Sequence, residues 1–148
     1  MDIVIDEWIV HYIAEPDKRN TALGFLERLL AKCDCLVTMK GGGLDRKVFQ
    51  MAEECAGCEV KSMKLAKWFM KVFRWNSDKF RVLEESEAAV LPSGLEKAWP
   101  QDDLFLLKAT LSTGAPILTI DGGLKSVASE TKEVVVRMLD EFIEEYDC

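Results

Sequence analysis

The sequence predicts an α/β fold in a single domain, and three observations carry that expectation. Short apolar runs at Ile3-Val4-Ile5, Cys35-Leu36-Val37-Thr38 and Pro116 to Ile120 have strand length and alternate with stretches whose apolar residues recur at helical spacing. The first and third of these runs each deliver an aspartate at the carboxyl end, Asp6 and Asp121. Between them lies a segment, Leu104, Phe105, Leu106, Leu107, Ala109 and Leu111, that is apolar nearly all round, as suits a helix buried beside a strand covered on both faces. With 148 residues, 49% of them hydrophobic, residues 1–148 form one domain large enough for a real core.

Taken in order, Ile3-Val4-Ile5 is a β-branched strand ending at Asp6. Pro16 breaks the region after Tyr12, and Ala22, Phe25, Leu26, Leu29 and Leu30 then define a core-facing helix, with Asn20 or Thr21 as candidate cap. Cys35 to Thr38 is the second strand. After Gly41-Gly42-Gly43, a helix carries Leu44, Val48, Met51, Ala52 and Cys55 on one face, has Asp45 in its first turn and ends near Gly57. The three glycines allow close backbone approach but match neither a phosphate-binding loop nor a dinucleotide fingerprint. Pro92-Ser93-Gly94 marks a turn, and Pro100 sets the next helix start at about Gln101 or Asp102. Gly114 stops that helix, and Gly122-Gly123 turns the chain after Asp121. Val134-Val135-Val136 reads as a last strand and Met138, Leu139, Phe142, Ile143 and Tyr146 as a terminal helix, with one helix from about Thr131 as the competing reading.

Composition narrows the class. No run approaches the ~20 apolar residues of a membrane span, and Met1 to Ile5 leads into an acid without a basic flank or an apolar signal core, so a soluble cytoplasmic protein is expected. The odd count of five cysteines argues against a secreted disulfide framework. A net charge of −7 argues against nonspecific coating of nucleic acid, yet one basic island interrupts it. From Glu59 to Arg81, Lys61, Lys64, Lys67, Lys71, Arg74, Lys79 and Arg81 face only two acids. Lys64, Lys67, Lys71 and Arg74 share one helical stripe, flanked by Trp68 and Trp75, which is either a solvated face or a nucleic-acid footprint.

The strongest chemical signal is a set of four aspartates, Asp6, Asp45, Asp103 and Asp121, each at a strand exit or a helix start. In an open α/β sheet such positions face one crevice. Gathered carboxylates repel unless a cation compensates, and an all-oxygen donor set favours Mg²⁺ or Mn²⁺ over zinc. Taken singly, Asp45 or Asp103 reads equally well as a helix cap, and Asp102 is the simpler cap of its pair. Cys33-x-Cys35 and Cys55-x-x-Cys58 define the rival, a zinc or redox protein, with no histidine nearby to support it. His11, the only histidine, lacks the companions of a catalytic triad and reads as peripheral.

The strand Ile3-Val4-Ile5-Asp6, the helix-borne Asp45, and the stretch from Asp103 through Gly114 to Thr119-Ile120-Asp121 resemble the PIN domain family over nearly the whole chain. The most specific piece is the eighteen-residue interval from Asp103 to Asp121. The resemblance implies a three-layer α/β/α fold with a central parallel sheet. It also implies a Mg²⁺- or Mn²⁺-dependent ribonuclease of the kind found in toxin–antitoxin pairs, as VapC-type toxins, and in RNA processing. Asp6, Asp45, Asp103 and Asp121 would be its catalytic and metal-binding acids and Thr119 a supporting donor, while the charge pattern makes Lys64, Lys67, Lys71 and Arg74 the expected RNA contacts. RNA is the expected partner, with an antitoxin protein and a homodimer as options and no membrane. Glu7 and Trp8 stand after Asp6 where the family favours a small hydroxyl or amide residue, so Glu7 takes over that supporting contact or the two residues close the crevice. In the latter case the chain is a catalytically degenerate PIN module that binds RNA or protein.

Overall fold

The computed structural model describes residues 1–54 and 60–146, with the side chain of Ser62 left aside. Five strands form one all-parallel sheet: β1 (Asp2–Ile5), β2 (Cys35–Met39), β3 (Phe80–Leu83), β4 (Ile117–Thr119) and β5 (Val136–Met138), in the order β3-β2-β1-β4-β5. Helices α1 (Trp8–Ala14), α2 (Arg19–Ala31), α3 (Gly43–Glu54), α4 (Val60–Phe69), α5 (Ser93–Ala98), α6 (Leu104–Thr113), α7 (Gly122–Ala128) and α8 (Leu139–Glu145) flank it, giving the three-layer α/β/α architecture.

The chain builds outward from β1, and the strand order reverses where β1 meets β4. The register pairs Val4 with both Val37 and Ile117, and Ile5 with Leu118. Ile3, Val4, Ile5, Leu36, Val37 and Ile117 have no exposed surface, which is the burial that continuous apolar strands require when helices cover both sheet faces. Such a reversal opens a crevice beyond the carboxyl ends of the two strands.

Local details depart from the sequence reading in ways the structure explains. Helix α2 begins at Arg19, and neither Asn20 nor Thr21 caps it; Lys18 holds the cap position without a side-chain bond. Residues 122–128 form α7 rather than an open turn, because Asp121 caps that helix. The last strand lies at Val136–Met138, two residues beyond the valine run expected, and Met138 belongs to it rather than to the terminal helix. The basic stretch ends α4 in a π turn, Met70–Arg74, followed by β3, an edge strand that the charge pattern concealed. The expected helix end near Gly57 and the Cys55/Cys58 pair lie outside the described residues.

Two glycines of the 41–43 run are explained by packing. A Cβ on Gly42 would lie 2.9 Å from the Phe105 Cβ and 3.1 Å from the Met39 carbonyl oxygen. On Gly43 it would meet the Glu7 carboxylate and, at 2.9 Å, the Phe105 ring. The turn from β2 into α3 is therefore pressed against α6 and the residue following Asp6.

Candidate functional site

The crevice at the strand reversal is built from three segments. Asp6 follows β1, Asp121 stands two residues beyond the end of β4, and Asp103 occupies the position before α6. Thr119 joins the first two. Its buried hydroxyl donates to Asp6 Oδ2 at 2.7 Å and accepts from the Asp121 backbone N–H at 3.0 Å. The other Asp6 oxygen accepts from the Glu7 backbone N–H at 2.6 Å. Asp121 Oδ1 accepts from the N–H groups of Gly123 at 2.8 Å and Leu124 at 3.4 Å, so this carboxylate caps α7 while facing solvent.

Asp103 is different. It sits at the N-cap of α6, yet its side chain makes no capping hydrogen bond. Its backbone is held instead, because the buried Trp99 indole N–H donates to the Asp103 carbonyl at 2.8 Å. Sequence reasoning passed over Trp99, since a lone aromatic before a proline carries no periodic signal. Burial, followed by the charges of Asp6, Asp121, Glu7 and Asp102, pushes the Asp103 carboxyl up to about 6. These carboxylates therefore share one electrostatic environment. Asp102 is exposed and caps nothing by its side chain in the 3-10 turn Gln101–Asp103.

Asp45 has other partners. Asp45 is 4% exposed, accepts from the Gly41 N–H at 3.0 Å and pairs with Arg74 Nε at 2.8 Å. Arg74 correspondingly leaves the basic stripe. Arg74 closes the π turn Met70–Arg74, which also carries Lys71, and it is Arg74 that turns to Asp45. Its guanidinium packs over the rings of Phe49, at 4.9 Å, and Phe80, at 5.9 Å. Lys64, Lys67 and Lys71 remain exposed and, among the described residues, have no ion-pair partner. Trp75 beside them is 69% exposed, whereas Trp68 packs edge-on against Phe73.

Trp8 does not close the crevice. It is 2% exposed, and its indole N–H donates to the Leu118 carbonyl at 3.0 Å, tying α1 to β4 within the core. Glu7 turns its carboxylate onto Gly43 at the start of α3. His11 is exposed on α1 and lies along a small surface groove with Lys47 and Glu54. Cys33 and Cys35 are free thiols, and burial pushes Cys35 up, away from the thiolate a metal ligand must be.

Comparison with solved structures agrees with this architecture. The chain superposes on the structure of VapBC2 from Rickettsia felis bound to a DNA fragment from their promoter, with a TM-score of 0.50 and 9% identity over 93% of this chain and 98% of that one. It superposes on FitAB bound to the IR36 DNA fragment with a TM-score of 0.52 and 13% identity, covering 93% and 94% of the two chains. For FitAcB from Neisseria gonorrhoeae the values are 0.52 and 13%, over 90% and 95%. The fold is that of a PIN domain. No family model and no curated protein sequence matches the chain, so the likeness is one of backbone.

Within the PIN fold, the residues present can be tested against a divalent ion. Their donors are all carboxylate oxygens, the set that suits a hard cation. Among the described residues no group of three or more His, Cys, Asp or Glu side chains is placed to hold one ion directly. The reason is visible in the hydrogen bonds, since Asp6 and Asp121 direct oxygens at Thr119, Glu7 and α7. Mg²⁺ retains several waters and takes one or two protein carboxylates directly. In that mode the uncapped Asp103 carboxylate and the Thr119-braced Asp6 are the two that would hold an ion.

Proposed function

We propose that this chain is a divalent-metal-dependent ribonuclease that acts as the toxin of a toxin–antitoxin pair. The observation that carries the reading is Asp103: a carboxylate at a helix start that caps nothing, pushed up to about 6 by burial and the neighbouring acids. A merely structural acid would be compensated by a cap or a cation, as Asp45 is. The structural neighbours, each a two-component complex by name, support the toxin reading.

When bound, Mg²⁺ or Mn²⁺ supplies activation of water and neutralisation of charge at the scissile phosphate. Asp6 and Asp103 would hold the ion. Thr119 fixes the orientation of the Asp6 carboxylate by donating to Oδ2, and the Trp99 bond to the Asp103 carbonyl sets where α6 begins. Lys64, Lys67 and Lys71 guide the phosphate backbone, with Trp75 offering a ring for an unpaired base.

The test is incubation of purified protein with single-stranded RNA in Mn²⁺, in Mg²⁺ and in chelator, with Asp103→Asn as the control for contaminating nuclease. The reading expects metal-dependent cleavage that the variant loses. A second reading, a PIN module that binds without cutting, is favoured by the one fact that no three side chains are placed to hold an ion directly. RNA retained on the protein but left intact with either metal would establish it.

A further inference from the structure

We propose that Arg46, Phe49 and Trp75 form a strip beside the lysines of α4 on which unpaired bases of an RNA strand stack as the strand approaches the crevice. The proposal rests on the ribonuclease reading above for where the strand leads, and it adds a surface of α3 whose rings select unpaired bases. Its warrant is charge and exposed aromatic surface gathered around one buried ion pair.

The Asp45–Arg74 pair, at 2.8 Å, is a clamp between the first turn of α3 and the π turn that ends α4. Each partner has an exposed neighbour. Arg46 directly follows Asp45, and Phe49 stands three residues further on, so the two share a helix face. Trp75 directly follows Arg74, and its backbone N–H donates to the Met70 and Phe73 carbonyls, which fixes it at the helix end. Arg74 also covers one face of Phe49, its guanidinium 4.9 Å from the ring centre, so the clamp ties Phe49 to the residue before Trp75. Among the described residues, Phe49, 41% exposed, and Trp75, 69% exposed, are the two aromatic side chains among the large exposed hydrophobics, and both adjoin Arg74. Cations surround them. Arg46, Lys64, Lys67 and Lys71 are exposed and make no ion pair among the described residues, although the chain carries a net charge of −7. Lys18, Lys40, Arg81, Lys108, Lys125 and Arg137, by contrast, each pair with an acid. Lysine is depleted where proteins meet one another, which argues against a protein occupant. Cations interleaved with open rings suit a single strand of nucleic acid, whose phosphates take the charge and whose bases have free faces to stack. The strip reaches the crevice through Gly43, three residues before Arg46, on which the carboxylate of Glu7 lies directly after Asp6.

Binding of a labelled single-stranded RNA of mixed sequence to wild type, Phe49→Leu, Trp75→Leu and Arg46→Gln, followed by fluorescence anisotropy in chelator across a salt series, tests the strip without relying on cleavage. The same titrations are run with an RNA duplex, with a strand lacking its bases and with polyglutamate. Phe49→Leu and Trp75→Leu should each weaken single-strand binding by about fivefold or more with the salt slope unchanged, and should make no difference to the duplex or the baseless strand. Arg46→Gln should weaken all three and reduce the salt slope by about 1. Single-stranded RNA should also quench the tryptophan emission of wild type and leave that of Trp75→Leu unquenched, a readout that does not depend on comparing affinities. Ring variants that bind the single strand as wild type does, or that lose duplex and single strand alike, overturn the stacking. Polyglutamate that binds wild type as tightly as RNA, and is lost with the same variants, overturns it in favour of an acidic protein partner. A chain that binds RNA through the two rings yet cuts none in Mn²⁺ sinks the ribonuclease reading and leaves the strip standing; cleavage in Mn²⁺ with binding indifferent to Phe49 and Trp75 does the reverse.

Discussion

Replacing Asp103 with Asn should make the metal-free protein more stable at neutral pH, and the size of the gain follows from the site. The variant keeps the shape, and because the Asp103 side chain makes no capping bond, no hydrogen bond to α6 is lost. What disappears is the charge that burial and the neighbouring carboxylates oppose. A carboxyl pushed from 3.8 to about 6 corresponds to roughly 3 kcal/mol at full strength. Asp103 is only partly buried, so solvent screening reduces this to about 1–2 kcal/mol, or a rise in Tm of roughly 2–8 °C for a chain of this size. The sign sets the pH window. Between about pH 3.8 and 6 the folded chain retains a proton at Asp103 that the unfolded chain has released, so wild-type stability falls as pH rises through that interval. The advantage of Asn should therefore be complete above about pH 6 and absent below about pH 4. Paired thermal melts in chelator at pH 4 and pH 7 provide the assay. A variant that melts lower than wild type at pH 7 would refute the reasoning, since that is the signature of a lost cap costing about 1 kcal/mol; an advantage unchanged at pH 4 would refute the electrostatic origin.

Three further outcomes are expected. Arg74→Ala should destabilise by about 2–4 kcal/mol in chemical denaturation, since it leaves Asp45, 4% exposed, as an unpaired buried charge; a loss below about 0.5 kcal/mol would contradict the clamp. Gly42→Ala should cost about 1–3 kcal/mol, because its methyl would press into Phe105 and the Met39 carbonyl, and an unchanged melting temperature would show that the turn can yield. Changing Lys64, Lys67 and Lys71 together to Gln should weaken RNA binding similarly across sequences and flatten its dependence on salt, whereas an unchanged salt slope in filter binding would return these lysines to an ordinary solvated face.

Much of the architecture was legible because its centre is written in continuous apolar runs. Ile3 to Ile5 and Ile117 to Thr119 can be little else than strands covered on both faces, and the buried α6 between Asp103 and Gly114 fixes how the chain returns to the sheet. Gly114, at φ 73°, ends α6 in the left-handed conformation that its residue type announces. Elements at the margins were hidden for physical reasons. β3 is an edge strand whose exposed Arg81 breaks the apolar pattern, and α7 begins with two glycines that read as a turn unless the Asp121 cap is known.

At the site, the positions of Asp6, Asp103 and Asp121 follow from where strands end and helices start. The fate of Asp45 does not, because its partner Arg74 lies 29 residues along the chain, at the end of a π turn that has no sequence signature here. The seat of Glu7 was half visible: three consecutive glycines indicate that something approaches closely, but only the packing shows that it is the residue after the first acid.

The central claim is that Asp6, Asp103 and Asp121 serve one divalent ion, and titration of Mn²⁺ into wild type and the three single Asp→Asn variants, with RNA cleavage assayed in parallel, tests it most directly. Metal affinity and cleavage should fall together, by at least about tenfold for Asp6→Asn and Asp103→Asn, and Mn²⁺ should raise the Tm of wild type more than that of any variant. Wild-type protein that gains nothing from Mn²⁺ and leaves RNA intact in either metal would contradict the shared site and leave a PIN module that binds without cutting.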